Sequence, residues 1–507
     1  MSKSFTILAT SDMPGYVMPY IYSDNSPAEL GLAKIHTTLQ TLKDENTLLI
    51  DNGDNIVGSP LTFYYNKNYS DKPHFMATML NEMGYDYYNI GNHEFNQGPN
   101  VLKNYMGALQ MPCLTGNLHV DNKPVSKPYY IHTFPNGIRI ALFGMVTQHI
   151  AAWEPPVNLI GIEVEDAFEY CKKTVEQIKK NETVDAVVCV YHGGYEKDLH
   201  TGEPTENQNG ENWGYKICTE IEGLDILITG HQHQGIADVC NGVITGQTKV
   251  NAQQIMKYTF DVDSRDGKCE LINPTYEPDA NIMELMSTLE EECQKWLDTP
   301  LGTTKAHLKV EDELEAREHK HPIISFINQV MLDHSKADLA ATALFLNAKG
   351  FNSTITMRDI VATYVYANTM VTLEMDGHTV KEFLEKSAEY FAVIDGKIGV
   401  SPLFDGPKPM HFNYDMMDGL DYTIKVSNPI GSRIISMTQD GKPFDMDKKY
   451  AVVMSNYRST GGGDFDMCKR CRVLQNDQTD MVDALAQYIL DHPDIPVYHR
   501  DNITVIL

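Results

Sequence analysis

Six short apolar runs mark the first half of this 507-residue chain, and five of them end on a residue able to ligate a metal. Phe5–Thr10, Thr47–Ile50, Tyr85–Ile90, Ala186–Tyr191 and Ile226–Thr229 lead into Ser11-Asp12, Asp51–Asp54, Gly91-Asn92-His93-Glu94, His192 and Gly230-His231-Gln232-His233; the sixth run is Ile138–Val146. A single Asp or His after a strand is ordinarily a turn former or a helix cap. Parallel strands, however, bring their carboxyl ends to one edge, which would gather two Asp, one Asn and three His there. So dense a set of carboxylates and imidazoles is repulsive or unsatisfied on its own, whereas divalent cations satisfy all of it. The donors are nitrogen and oxygen without sulfur, which favours Mn, Fe, Zn or Co over a thiolate site. Glycines beside the ligands suit tight turns through which backbone approaches metal.

Between the runs lie helix-like segments such as Leu30–Leu42, where Leu32, Ile35, Leu39 and Leu42 recur at helical spacing. The alternation predicts a layered α/β domain over 1–272. Residues 273–300 predict a linker carrying the amphipathic helix Ile282–Trp296. Residues 301–507 predict an α+β domain, with helices at Pro322–His334 and Thr379–Tyr390 and strands at Met370–Met375, Tyr422–Val426 and Tyr450–Met454. A chain of this length exceeds one hydrophobic core.

The formal net charge is −28 with no extended basic run, which excludes DNA or RNA as a long ligand. A mononucleotide remains compatible, because a bound metal can supply local positive charge in an acidic chain. No apolar run approaches the ~20 residues that span a bilayer. Met1–Leu8 lacks the apolar core of a signal peptide, so a cytoplasmic protein without a membrane partner is expected unless a leader has been trimmed. The nine cysteines are scattered rather than framed as disulfides, and Cys468 with Cys471 has no second pair beside it. Glu311–Glu318 and His319-Lys320-His321 read as a solvated charged stretch ahead of a helix.

The order Asp12, Gly53-Asp54, Gly91-Asn92-His93-Glu94, His192 and Gly230-His231-Gln232-His233 resembles the signature of calcineurin-like metallophosphoesterases. Asp54–Pro60 narrows the likeness to the 5′-nucleotidase and 2′,3′-cyclic-nucleotide 2′-phosphodiesterase family. Asn347–Asp359, Tyr366–Thr369, Tyr414–Met416 and Asn456–Gly462 resemble that family's nucleotide-binding domain.

The resemblance implies a metal-dependent hydrolase of nucleotide phosphoesters, most like a 2′,3′-cyclic-nucleotide 2′-phosphodiesterase with 3′- or 5′-nucleotidase activity. Two divalent ions are implied. Asp54 would bridge them, Asn92, His192 and His231 would complete one site, and Asp12 and His233 would belong to the other. His93 takes the place of the family's catalytic histidine, stabilising phosphoryl oxygens or protonating the leaving group. The nucleophile implied is a metal-activated water attacking in line. Tyr366 and Tyr457 match an aromatic pair that stacks the base, with Arg458 and Asp464 as further candidates for ribose or phosphate contacts. Such a division of labour needs the two domains to meet across a cleft.

Two positions depart from the family pattern. Asp12-Met13-Pro14 stands where the family has Asp-x-His, and proline cannot ligate. One metal site is thereby left with three protein ligands against four, which predicts weaker binding there. It also opens an alternative in which the chain binds nucleotides with weakened or no catalysis. Asn96 stands where many 5′-nucleotidases have an Asp that orients the histidine, and asparagine there resembles the cyclic-phosphodiesterase branch.

Overall fold

Successive side chains of a strand point to opposite faces, and in the first apolar runs both faces are hydrophobic. The computed structural model, which describes residues 3–206, 208–366, 368–406, 409–496 and 500–507, shows how both faces are covered. In Arg139–Val146, Ile140 and Leu142 join Val188, Val190, Ile226 and Ile228 in one cluster with Phe5, Ile7, Leu48 and Ile50 of a second sheet. The alternate residues Ala141, Phe143 and Met145 pack instead under the helix Ala167–Asn181, through Phe168, Cys171, Val175 and Ile178. The first unit is therefore two sheets facing across one core, with helical cover outside.

One sheet runs in the order Asp266–Ile272, Ile255–Asp261, Ser4–Thr10, Thr47–Asp51, Tyr87–Tyr88, and its last three strands are parallel. The other runs Ile236–Cys240, Val243–Gln247, Ile226–Thr229, Ala186–His192, Arg139–Val146, Tyr130–Thr133, and its middle four are parallel. The ligand-bearing strands are thus shared between two sheets rather than gathered in one. A strand apolar on both faces needs two covering layers, and the facing sheet supplies one of them. The predicted helix forms over Leu32–Leu42 and buries Leu32, Ile35 and Leu39.

The chain divides into compact units at Met1–Cys293 and Gln294–Leu507, within the helix Ala280–Leu297. The second unit is built on a five-stranded sheet in the order Asp415–Asp418, Leu339–Ala343, Lys449–Ser455, Thr369–Asp376, Arg472–Asp480. Helices Pro322–Ser335, Gly377–Ser387 and Met481–Asp491 accompany it. The stretch expected to be solvated departs from that reading, because Arg317 and Lys320 are buried. Arg317 donates to the Glu313 carboxylate and to the carbonyls of Leu344 and Phe345; Lys320 donates to Asp418 at 2.6 Å, to Asn502 and to the Arg500 carbonyl. Buried charges persist when every donor finds an acceptor, and most of these acceptors lie far off in sequence. Among the described residues no helix is long and apolar enough to cross a membrane.

Candidate metal centre

Four of the six expected ligands have a left-handed backbone: Asp12 at φ 57°, Asp54 at 60°, His231 at 73° and His233 at 59°. That conformation costs a non-glycine residue on the order of 1–3 kcal/mol and survives only where surroundings over-determine it. Here the loops are cross-tied. Asp12 N–H donates to Gly53 O at 2.9 Å, and Asn251 N–H donates to Asp12 O at 2.8 Å. The buried Glu94 carboxylate accepts from the backbone of Gly91 at 2.7 Å, Asp54 at 2.9 Å and Asn55 at 2.6 Å, latching two ligand loops together. The approach is close enough to demand glycine: a Cβ on Gly91 would stand 2.2 Å from Asp54 Oδ1, and one on Gly53 2.3 Å from Gly91 N.

These loops bring the six predicted ligands together. Ligand atoms of Asp54, His192 and His231 lie within 4.8 Å of one another, as do those of Asp12, Asp54 and His233, so Asp54 belongs to both groups. His192 Nε2 is 3.1 Å from Asp54 Oδ2 and 4.0 Å from Asp12 Oδ1; His233 Nε2 is 3.2 Å from Asp12 Oδ1. Asn92 Oδ1 joins the first group, 2.7 Å from His231 Nδ1.

The donor set fits divalent ions on two independent grounds. Asp54 Oδ2 and His192 Nε2 are buried side-chain atoms without a hydrogen-bond partner, an arrangement natural proteins rarely leave uncompensated. The other imidazole nitrogen, His192 Nδ1, donates to Asn52 O at 2.5 Å, so Nε2 carries the inward lone pair. The field points the same way. Burial opposes charge on the His192 imidazole, but Asp54 and Asp12 outweigh it and raise its pKa to about 10. Burial likewise works against the Asp12 and Asp54 carboxylates, yet the neighbouring histidines hold both below the usual range. The pocket calls for positive charge, and a dication supplies it while leaving His192 neutral.

His93 stands beside this cluster, half-buried. Its backbone N–H donates to Asp54 Oδ1 at 2.8 Å, and its ring Nδ1 donates to Asn96 Oδ1 at 2.7 Å.

In the second unit Tyr366 is 41% exposed, with its ring edge-on to Phe345 at 4.9 Å and to Phe412 at 6.1 Å. Phe412 is in turn edge-on to Tyr457 at 6.2 Å, so it links the two predicted tyrosines. Arg458 has a different setting from that expected of a ribose or phosphate contact. It is buried, and its guanidinium donates to Asp415, to the carbonyls of Gly462 and Phe412, and to Asn413 Oδ1, lying 3.8 Å over the Phe465 ring. Its donors are engaged within the protein, and the residue fastens the Phe412–Asp415 segment beside Tyr457. Asp464 is half-buried, with φ 64°.

Residues 5–235 match the calcineurin-like phosphoesterase family, and residues 300–470 match the 5′-nucleotidase C-terminal domain. A crystal structure from Staphylococcus aureus, described as a candidate 5′-nucleotidase in complex with alpha-ketoglutarate, is 31% identical, with a TM-score of 0.92 over 99% of this chain and 100% of that one. The chain belongs to the calcineurin-like phosphoesterases with a 5′-nucleotidase C-terminal domain.

This phosphoesterase is also similar to the trifunctional nucleotide phosphoesterase of Bacillus subtilis, 26% identical over 97% of the chain and 38% of the relative. It therefore spans well under half of that relative's length. The 2′,3′-cyclic-nucleotide 2′-phosphodiesterase/3′-nucleotidase of Salmonella typhimurium is 26% identical over 90% of the chain and 81% of the relative. The phosphoesterase is a metal-dependent phosphoric ester hydrolase, and both of these relatives act on nucleotide phosphoesters.

Two contacts to His231 were not legible in the sequence. His231 Nε2 lies 2.9 Å from Glu211 Oε1, and its ring stacks on Trp153 at 5.4 Å with an interplanar angle of 25°. Glu211 sits in a polar loop without a motif, and only the fold carries it to the histidine. A carboxylate on the far nitrogen of a ligating histidine fixes the ring and raises its basicity. Glu211→Ala is expected to weaken metal affinity ~10–100-fold. Titration of metal into metal-free protein checks this, and an unchanged affinity would remove Glu211 from the centre.

Proposed function

We propose that this phosphoesterase opens 2′,3′-cyclic nucleotides at the 2′ ester and removes the phosphate of 3′- or 5′-nucleotides, using two divalent ions. The observation that carries this reading is the position of Asp54, common to both ligand groups and touching the backbone of His93. When bound, the ions supply charge for the phosphoryl oxygens and acidify an attacking water. Asp54, Asn92, His192 and His231 would hold one ion; Asp12, Asp54 and His233 would hold the other, more weakly, because Pro14 contributes no ligand. His93 faces the phosphoryl group or the leaving oxygen. Tyr457, with Phe412 and Tyr366, offers aromatic surface to a base, which tolerates any base because each has a π-face.

The test is hydrolysis of 2′,3′-cyclic AMP, 3′-AMP and 5′-AMP with added Mn, alongside metal analysis of the purified protein. Turnover of the cyclic and 3′ substrates is expected, with two metal equivalents of unequal affinity. Pro14 favours one second reading, a nucleotide-binding protein with weakened or no catalysis. Absence of turnover with saturating Mn, Zn, Co or Fe would establish it, and Pro14→His would then create activity.

Stacking is worth ~1–3 kcal/mol per base, so Tyr457→Ala is expected to raise KM for nucleotides about tenfold. Hydrolysis of p-nitrophenyl phosphate, which has no base, should hardly change. Equal losses on both substrates would mean that Tyr457 supports the fold instead.

A further inference from the structure

Asn96 does more than end a hydrogen bond from His93. Its Oδ1 accepts from His93 Nδ1 at 2.7 Å, while its Nδ2 donates to Glu154 Oε1 at 2.5 Å. The second oxygen, Glu154 Oε2, accepts from Asn158 Nδ2 at 2.8 Å, and the same Asn158 amide donates to the Asn96 backbone carbonyl at 2.9 Å. Glu154 is 9% exposed and ends the short helix Ile150–Trp153, with its N–H on Ile150 O at 2.9 Å. The carboxylate is thus held from both sides by amides and by its own backbone.

This arrangement determines hydrogen positions by elimination. A carboxylate accepts and does not donate, so the Asn96 face turned to Glu154 must be its NH₂. The oxygen of Asn96 then faces His93, and a proton must sit on His93 Nδ1 to meet it. A lone asparagine beside a histidine fixes neither choice, because its amide can present either end.

We propose that Glu154 is a positioning residue which, through Asn96, holds the His93 ring with Nδ1 protonated and Nε2 left to meet the substrate. This rests on the reading of His93 as catalytic. A His–Asp pair would place the charge directly against the ring. Here one amide lies between, so the ring is oriented while the negative charge stays one residue away.

The test exchanges the two groups in the full-length, Mn-loaded protein, with 2′,3′-cyclic AMP as substrate. Glu154→Gln leaves one acceptor where two amides need one each, and it should lower kcat about tenfold with KM and metal content unchanged. Asn96→Asp sets two carboxylates against each other and should lower kcat by a similar factor. In the double variant the carboxylate and the amide have changed places. The new carboxylate accepts from His93 and from the new amide, whose own oxygen accepts from Asn158, so every bond of the chain is restored. Its kcat should return to within about threefold of wild type, a non-additivity expected only of groups in one network.

A role in stability alone gives no such recovery. Wild-type kcat in Glu154→Gln, or a double variant no better than its singles, overturns the proposal. If Glu154→Gln does not fold, Asn96→Asp against the double variant decides in the same way. His93→Ala is measured in parallel: if that variant stays active, the catalytic reading of His93 has failed, whatever Glu154 does.

Discussion

Asp54→Asn is expected to reduce hydrolysis by more than ~10³-fold, beyond the usual loss of one charge-stabilising group, because two ligand groups lose their common member. Asp54 is the residue shared by Asp54–His192–His231 and Asp12–Asp54–His233. The substitution removes a negative charge without removing bulk, and an amide oxygen can still take the His93 N–H that Asp54 Oδ1 accepts at 2.8 Å. Loop geometry should therefore survive. What is lost is the anionic oxygen opposite His192 Nε2, itself a buried atom with no hydrogen-bond partner. Metal analysis after dialysis should show both equivalents depleted, the Asp12–His233 one most completely, since two protein ligands would remain there. A variant that keeps both equivalents and a tenth of wild-type turnover would show that Asp54 does not join the two groups.

The grouping of these six side chains was legible because each lies in the turn that follows an apolar run, and strands fix where their carboxyl ends lie. Asp12, Asp54, Asn92, His192, His231 and His233 converge as that logic requires, although two sheets rather than one deliver them. The split was hidden because a strand apolar on both faces reads alike whether a helix or another sheet covers it. The predicted strand Tyr85–Ile90 contracts to Tyr87–Tyr88, since Leu49 N–H donates to the Asp86 side chain at one end and Ile90 N–H donates to Thr115 Oγ1 at the other. The supporting groups were illegible for a different reason. Glu211 reaches His231 across 20 residues, Glu154 reaches Asn96 across 58, and Asp415 reaches Arg458 across 43. No periodicity records such pairings. Arg458 shows the cost of reading a motif without its burial: the same residue that suits a phosphate on the surface becomes, once enclosed, a clamp on the Phe412–Asp415 segment.

His93→Ala is expected to lower kcat ~10²–10⁴-fold while leaving metal content nearly unchanged, which separates it from Asp54→Asn. The separation follows from which atoms of His93 are engaged. Its backbone N–H, retained by alanine, is what touches Asp54 Oδ1; its ring touches Asn96 instead. Loss of the ring should leave the ligand loops tied through Glu94, whose three backbone donors come from Gly91, Asp54 and Asn55. The variant also distinguishes the two roles open to the ring. If His93 protonates the leaving oxygen, p-nitrophenyl phosphate should suffer far less than 3′-AMP, because nitrophenolate departs without a proton. If His93 stabilises the phosphoryl oxygens, both substrates share that group and should lose rate together. Retention of more than about a tenth of wild-type turnover on every substrate would contradict both roles.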